Sequence, residues 1–243
     1  MNFLLRLLFK LCSFGFAVAS AAGLALALYA LSLLPGLPTV EQIRAVPLNI
    51  PLRIYSADGK LVAEYGNERR IPVTLDQAPP LLLDAILVTE DDNFYYHTGV
   101  DFPGIARALI SNIRNQSRGQ GASTVTMQVV RNFFLNPEKT YERKLKEVLL
   151  AFNMERALTK DEILELYLNK IFLGHRAYGF AAAAQVYYGA TLENLSVPEI
   201  AMLAGLPKAP SRDNPISNPT RAETRRDHVL KRLFDLGKID RLT

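Results

Sequence analysis

The chain has 243 residues, about half of them hydrophobic (49%), and carries 28 Lys and Arg against 24 Asp and Glu, a formal charge of +4. That modest excess does not demand nucleic acid and equally suits an anionic lipid surface or a phosphorylated substrate. Its single cysteine, Cys12, excludes a disulfide framework and a cysteine metal site, and His97, His175 and His228 are too scattered to suggest zinc.

Residues Leu11 to Val40 contain no Asp, Glu, Lys or Arg, and Leu11 to Leu34 is apolar apart from three serines. A bilayer needs roughly 20 such residues. Arg6 and Lys10 precede the run without an acid, which predicts a cytoplasmic start and places Glu41 to Thr243 outside. Ala19-Ser20-Ala21 fits the cleavage site of a removable signal peptide, but the apolar run continues to Leu34 and favours an uncleaved anchor. The expected organisation is a cytoplasmic tail over 1–10, an anchor over 11–34, a stalk over 35–51 and one domain over 52–243.

Leu52 to Tyr65 reads as a hairpin, with two β-prone runs flanking Asp58-Gly59. Helix signals dominate after it. Asp101 precedes a helical pattern to about Arg114, Ser123 or Thr124 opens another to about Phe134, and Thr140 opens a long one through Arg156. Three capping boxes follow, Thr159 with Glu162, Ser196 with Glu199 and Thr220 with Glu223, predicting starts near Lys160, Val197 and Arg221. Gly237 suits the end of the last helix. Arg114 to Gly121, polar and bearing Gly119, reads as a mobile loop. The fold class is therefore mainly α, with a short β element near the membrane.

The run from Glu90 through Asp91 and Asp92 to Phe94, Tyr95, Tyr96 and His97 is the strongest chemical signal. A carboxylate beside other carboxylates resists ionisation, which tunes it toward proton transfer near neutral pH; a solvated acidic turn is the plainer reading of the octapeptide alone. Gly121 to Gln128 runs from a glycine-bearing loop into a helix, where hydroxyls and free N–H groups hold anions or simply cap. Arg143 and Glu147 share a helix face at i and i+4, as a surface ion pair or as a carboxylate and a cation in a cleft. Ile163 to Asn169 is an amphipathic core helix. Gly174 to Gly189 is a tight turn and a closely packed alanine helix, in which Arg176 is the site candidate. Ala204 to Pro210 ends a helix in a proline-bracketed loop holding Lys208.

Together these stretches resemble the family 51 peptidoglycan glycosyltransferases, the transglycosylase module of class A penicillin-binding proteins and of monofunctional transglycosylases. The patterns appear in order from about Leu52 to Gly237: EDxxFxxHxG at Glu90 to Gly99, GxSTxxQ at Gly121 to Gln128, RKxxE at Arg143 to Glu147, ILExYLN at Ile163 to Asn169, and GxxGxxxAAxxYxG ending at Gly189. Three positions depart from the usual pattern: Arg131 stands where lysine is common, Met127 replaces the first of a glutamine pair, and Gln185 lies among small residues.

The resemblance implies a lysozyme-like helical head and a small hydrophobic jaw between Gly99 and about Leu135. Phe102, Ile105, Ile110, Val129, Phe133 and Phe134 would supply the jaw's apolar surface. It implies polymerisation of lipid II into β-1,4 glycan strands, with inversion and release of polyprenyl pyrophosphate. Glu90 would handle the acceptor proton and Glu147 would be the second carboxylate. Thr124, Gln128, Arg131, Asn132, Arg143, Lys144, Arg176 and Lys208 would bind phosphates or sugars. Asp91, Phe94, His97, Tyr167 and Asn169 would shape the surroundings. No obligatory cofactor is implied, a divalent cation such as Mg2+ or Mn2+ near Glu147 being the open alternative. Implied partners are lipid II, the growing strand, the bilayer and other cell-wall synthases, at the bacterial cytoplasmic membrane with the domain facing the periplasm. No SxxK serine motif occurs, yet the anchor, the hairpin and Tyr55 to Gly59 resemble the start of a bifunctional class A protein, so the expectation is a piece lacking the transpeptidase before a natural monofunctional enzyme. The competing classes are a lysozyme-like lytic enzyme and a non-catalytic fragment that binds cell-wall synthases.

Overall fold

The computed structural model describes residues 3–45, 51–66, 68–114, 123–136, 138 and 140–240. Of the loop expected over Arg114 to Gly121, Arg114 is the last residue of a helix, and the rest, with Gly119 and Gly121, lies outside the described residues.

Helix α1 spans Phe3–Leu33. At 1.5 Å per residue it is about 46 Å long, more than the roughly 30 Å hydrocarbon core requires. Its large apolar side chains, Phe9, Phe14, Phe16 and Leu24 among them, are exposed rather than packed. Among the described residues one segment, Phe9–Gly36, is long and apolar enough to cross a membrane, with mean hydropathy 2.0. Near its end the Tyr29 hydroxyl donates to Glu142 Oε2 at 3.3 Å.

The expected stalk is partly folded onto the domain. Thr39 and Gln42 form a capping box that starts α2, Val40–Arg44. Ile43 is buried in the main core, and α2 packs against α6, Tyr141–Ala157. The hairpin forms as expected: β1, Leu52–Tyr55, pairs antiparallel with β2, Leu61–Tyr65, and Gly59 turns at φ +79°. A pairing that the local pattern does not signal joins β3, Arg69–Arg70, in parallel to β4, Ala177–Tyr178.

The rest is helical: α3, Pro80–Glu90; α4, Phe102–Arg114; α5, Val125–Phe134; α7, Lys160–Lys170; α8, Phe180–Tyr188; α9, Val197–Gly205; and α10, Pro219–Asp235. Side chains set most of their starts. Thr124 accepts from Met127 N, Thr140 accepts from Arg143 N, and the boxes of Thr159 and Ser196 are present. The third box is a correction: α10 starts at Pro219, with Asn218 accepting from Arg221 N. Proline fits the first helical position because its missing N–H needs no partner there. That leaves Thr220 and Glu223 inside the helix. Gly237 (φ +68°) ends α10, its N–H reaching Phe234 O while Lys238 N reaches Leu233 O, a Schellman closure.

The core lies where α3 meets α9 and α10 and where α5 meets α6 and α7. Leu82, Ile86, Val130, Leu150, Leu164, Phe180 and Val229 fill it, and Ala181 to Ala184 let α8 approach closely. Of the residues expected on the jaw surface, Phe102 and Ile110 are exposed, and Ile105 packs on a smaller cluster of Val100, Met127 and Ala151. Val129 departs from the expectation: it is buried in the main core, with Phe133 and Phe134 half-buried against it, because that face of α5 meets α6 and α7.

Candidate active site

Glu90 is the last residue of α3, and the chain leaves the helix at Asp91 with φ −164°. The acidic run therefore sits at a helix C-terminus, where the partial negative charge of the carbonyls opposes more negative charge. The surrounding elements compensate for this.

Asp91 is buried and ties α3 to α5. Its Oδ2 accepts from the Val125 backbone N–H at 2.9 Å and from His97 Nε2 at 2.9 Å. His97 Nδ1 accepts from Gly99 N at 3.1 Å, so the network assigns the ring proton to Nε2. Phe94 is buried beneath this turn, edge-on to Tyr95 and His97, with Lys160 Nζ 4.4 Å from its centroid. Thr124 Oγ1 donates to Gly99 O at 2.6 Å while capping α5. Asp91, Phe94 and His97 thus order the turn through these contacts.

Gln128, one turn into α5, donates from Nε2 to Glu90 Oε2 at 2.8 Å. The Glu90 side chain is 13% exposed. Burial raises its pKa, opposed by the Gln128 hydrogen bond and by the charges of Arg225, Arg131 and Lys208. It forms part of the wall of a cavity of about 580 Å³ that also exposes Asp92, Asp101, Arg107, Ser123, Thr124, Gln128, Arg131, Lys208, Arg225, His228 and Arg232. Acids and cations thus face one space.

Glu147 is placed differently. It is buried, does not line that cavity, and is held in ion pairs by Arg143 and by Lys144 Nζ, the latter at 3.0 Å. Lys144 also donates to Ser123 Oγ at 2.8 Å, and Ser123 is on the cavity wall. Glu147 is therefore engaged by two cations and does not face the cavity. A divalent ion does not fit it: two positive side chains already take its oxygens, and no group of three His, Cys, Asp or Glu converges among the described residues.

Several candidates fall outside the cavity. Asn132 is exposed and Arg176 is exposed, its guanidinium donating to Gly66 O and its carbonyl accepting from Arg69 N, where β3 meets β4. Asn169 pins the segment before α3 by exchanging hydrogen bonds with Val73 N and O at 2.9 and 2.7 Å. Tyr167 is fully buried, and burial followed by the charge of Glu90 raises its pKa well above the ordinary value. Arg225, His228 and Arg232 of α10 were not anticipated. Their i, i+3, i+7 spacing marks one helix face, but such a stripe on a terminal helix normally reads as solvated. Burial and the neighbouring charges of Arg225, Arg232 and Lys208 lower the pKa of His228.

This arrangement, a buried carboxylate facing cations in a helical domain, accompanies a family match. The chain belongs to the transglycosylase family, whose model matches residues 58–234. Among relatives it is similar to penicillin-binding protein 1A of Escherichia coli (strain K12), 57% identical over 205 residues, which covers 84% of this chain and 24% of that protein. The corresponding protein of Pseudomonas aeruginosa is 53% identical over 210 residues, 86% and 26% of the two chains. A crystal structure of penicillin-binding protein 1A from Haemophilus influenzae is 37% identical, matching 81% of this chain and 20% of its own, with a TM-score of 0.46. The chain thus spans about a quarter of the length of these curated relatives.

Proposed function

We propose that this domain is a peptidoglycan glycosyltransferase that polymerises lipid II into β-1,4 glycan strands with inversion and release of polyprenyl pyrophosphate. It would work at the outer face of the cytoplasmic membrane, held there by α1 with its N-terminus inside. The observation that carries this reading is the pairing of one buried, pKa-raised carboxylate with a cationic cavity wall.

The chemistry needs both. An attacking sugar hydroxyl must lose a proton, and a carboxylate with a raised pKa is a stronger base for taking it. A pyrophosphate leaves as an anion, so positive charge stabilises the transition state more than a proton would. A hydrolase needs its acid to protonate the leaving oxygen instead. Lys208 and Arg131 on the cavity wall, with Lys144 beside Ser123 and Arg143 paired to the same Glu147, suit transfer from a phosphate-activated sugar. Glu147 would keep Arg143 and Lys144 oriented. Phe102 and Ile110, exposed on α4, suit a jaw that meets lipid while the substrate's tail stays in the bilayer.

The test is polymerisation of labelled lipid II in detergent or liposomes by wild type and Glu90→Gln. Long strands from wild type alone, with lipid II binding retained in the variant, support the reading. Equal strands from both remove Glu90 from its role. Soluble fragments released from purified cell wall, with no strands, point to the lytic class.

A further inference from the structure

We propose that Arg225 of α10 is a positioning residue for Glu90: its guanidinium, seated on the C-terminal end of α9, holds the carboxylate at the cavity wall. The proposal rests on Glu90 being the proton-handling group.

Arg225 and Glu90 are 16% and 13% exposed, and one guanidinium nitrogen lies 3.9 Å from Glu90 Oε1. That separation is outside hydrogen-bond range but well inside the reach of a poorly screened charge. Gln128 takes Oε2, while Arg225 favours the ionised form without taking up Oε1. Its own orientation is set elsewhere, because Nε donates to Gly205 O at 3.2 Å.

Gly205 is the second observation. It sits in the last turn of α9, where glycine costs up to about 1 kcal/mol relative to alanine, and its φ is not positive. Its value is space: a Cβ there would stand 2.8 Å from Arg225 Cγ. The missing side chain is the seat for the arginine stem.

Charge placement supplies the third. Glu90, Asp91 and Asp92 crowd the negative end of α3, where a carboxylate is disfavoured. From α10, Arg232 Nε donates to Val88 O at 2.5 Å and its terminal nitrogen lies 3.4 Å from Asp92, so it binds the frame of the turn. Arg225 is left to answer Glu90. The groups that face Glu90 are Gln128 and Arg131 from α5, Tyr167 from α7, Lys208 from the turn after α9, Arg225 from α10, and adjoining Asp91. Lys208 is exposed and Arg131 half-buried, whereas Arg225 is tethered to backbone beside the carboxylate. A lysine would keep the charge but not the fork that reaches both Gly205 and Glu90.

The experiment is the pH profile of kcat and of kcat/KM for lipid II polymerisation, with thermal unfolding, for wild type, Arg225→Met, Arg225→Lys and Gly205→Ala, beside Glu90→Gln. Removing the charge should move the acid limb of Arg225→Met upward by about 1 to 3 pH units and lower kcat near neutral pH, with little change in KM. Arg225→Lys should bring the limb most of the way back. Gly205→Ala, which keeps every charge and displaces only the stem, should shift it in the same direction by less. A wild-type limb and kcat in folded Arg225→Met overturn the proposal, as does a rise confined to KM, which would make Arg225 a substrate ligand. Should Arg225→Met not fold, Gly205→Ala decides alone, and an unshifted limb overturns the proposal. Activity in Glu90→Gln would instead sink the underlying assignment of Glu90, whatever the Arg225 variants do.

Discussion

Replacing Asp91 with alanine is expected to loosen the joint between α3 and α5. The carboxylate satisfies the Val125 N–H at the start of α5 and His97 Nε2, both at 2.9 Å, in a place where Val125 is fully buried and the His97 side chain is 8% exposed. Alanine leaves two buried donors without an acceptor, at about 1–3 kcal/mol each. Because they share one network the losses do not add fully, and about 2–5 kcal/mol is expected. That is a large part of the roughly 5–15 kcal/mol that holds a domain together. With its amide oxygen in the place of Oδ2, asparagine still accepts from both Val125 N–H and His97 Nε2, so Asp91→Asn should cost only about 1–2 kcal/mol, the loss of charge assistance. Urea unfolding followed by circular dichroism in detergent reads both as midpoint shifts at constant slope. Activity should fall in the same order, since Gln128 is carried to Glu90 by α5. An alanine variant within about 0.5 kcal/mol of wild type, or one equal to asparagine, would refute the claim that these bonds tie the two helices.

Glu90 also predicts a pH-dependent stability. Its folded pKa is raised above the ordinary 4.5, so the folded chain binds this proton more tightly than the unfolded one. Stability is then lost as pH rises through the folded value, and the deficit persists above it. Glu90→Gln should therefore melt higher than wild type at neutral pH, with the advantage fading as pH falls toward 4.5; a variant that melts lower at neutral pH contradicts this. Two glycines give a graded pair. A Cβ at Gly179 (φ +85°) would lie 2.8 Å from Leu168 O and 2.9 Å from Asn169 O, whereas Gly189 (φ +64°) has nothing within 4 Å. Gly189→Ala should cost about 1 kcal/mol of backbone strain, and Gly179→Ala about 3 kcal/mol or more because overlap adds to strain. Equal urea midpoints for the two would show that the α7–α8 contact gives way freely.

What the chain alone determined was local. The capping boxes at Thr159 and Ser196 work within four residues, the Asp58-Gly59 turn sets the hairpin, and an uncharged run of this length makes a helix whatever surrounds it. The chemical motifs were legible for the same reason, since Glu90 and His97 lie within one turn and its exit. Even locally there were limits: Asn218 and Pro219 outcompeted the box at Thr220, because an N-cap followed by proline starts a helix just as well. Tertiary structure decided the rest. Arg225 lies far along the chain from Glu90 and meets it only because α10 packs across α3 and α9. The union of Arg69–Arg70 with Ala177–Tyr178 closes a long separation by backbone hydrogen bonds that carry no signature in side-chain pattern. The spacing of Arg143 and Glu147 left open a surface ion pair or a carboxylate and cation in a cleft, and only packing showed that Glu147 is buried with Arg143 and Lys144 on its oxygens. Burial and long-range charge are properties of the packed whole, and they determine which carboxylate faces the cavity.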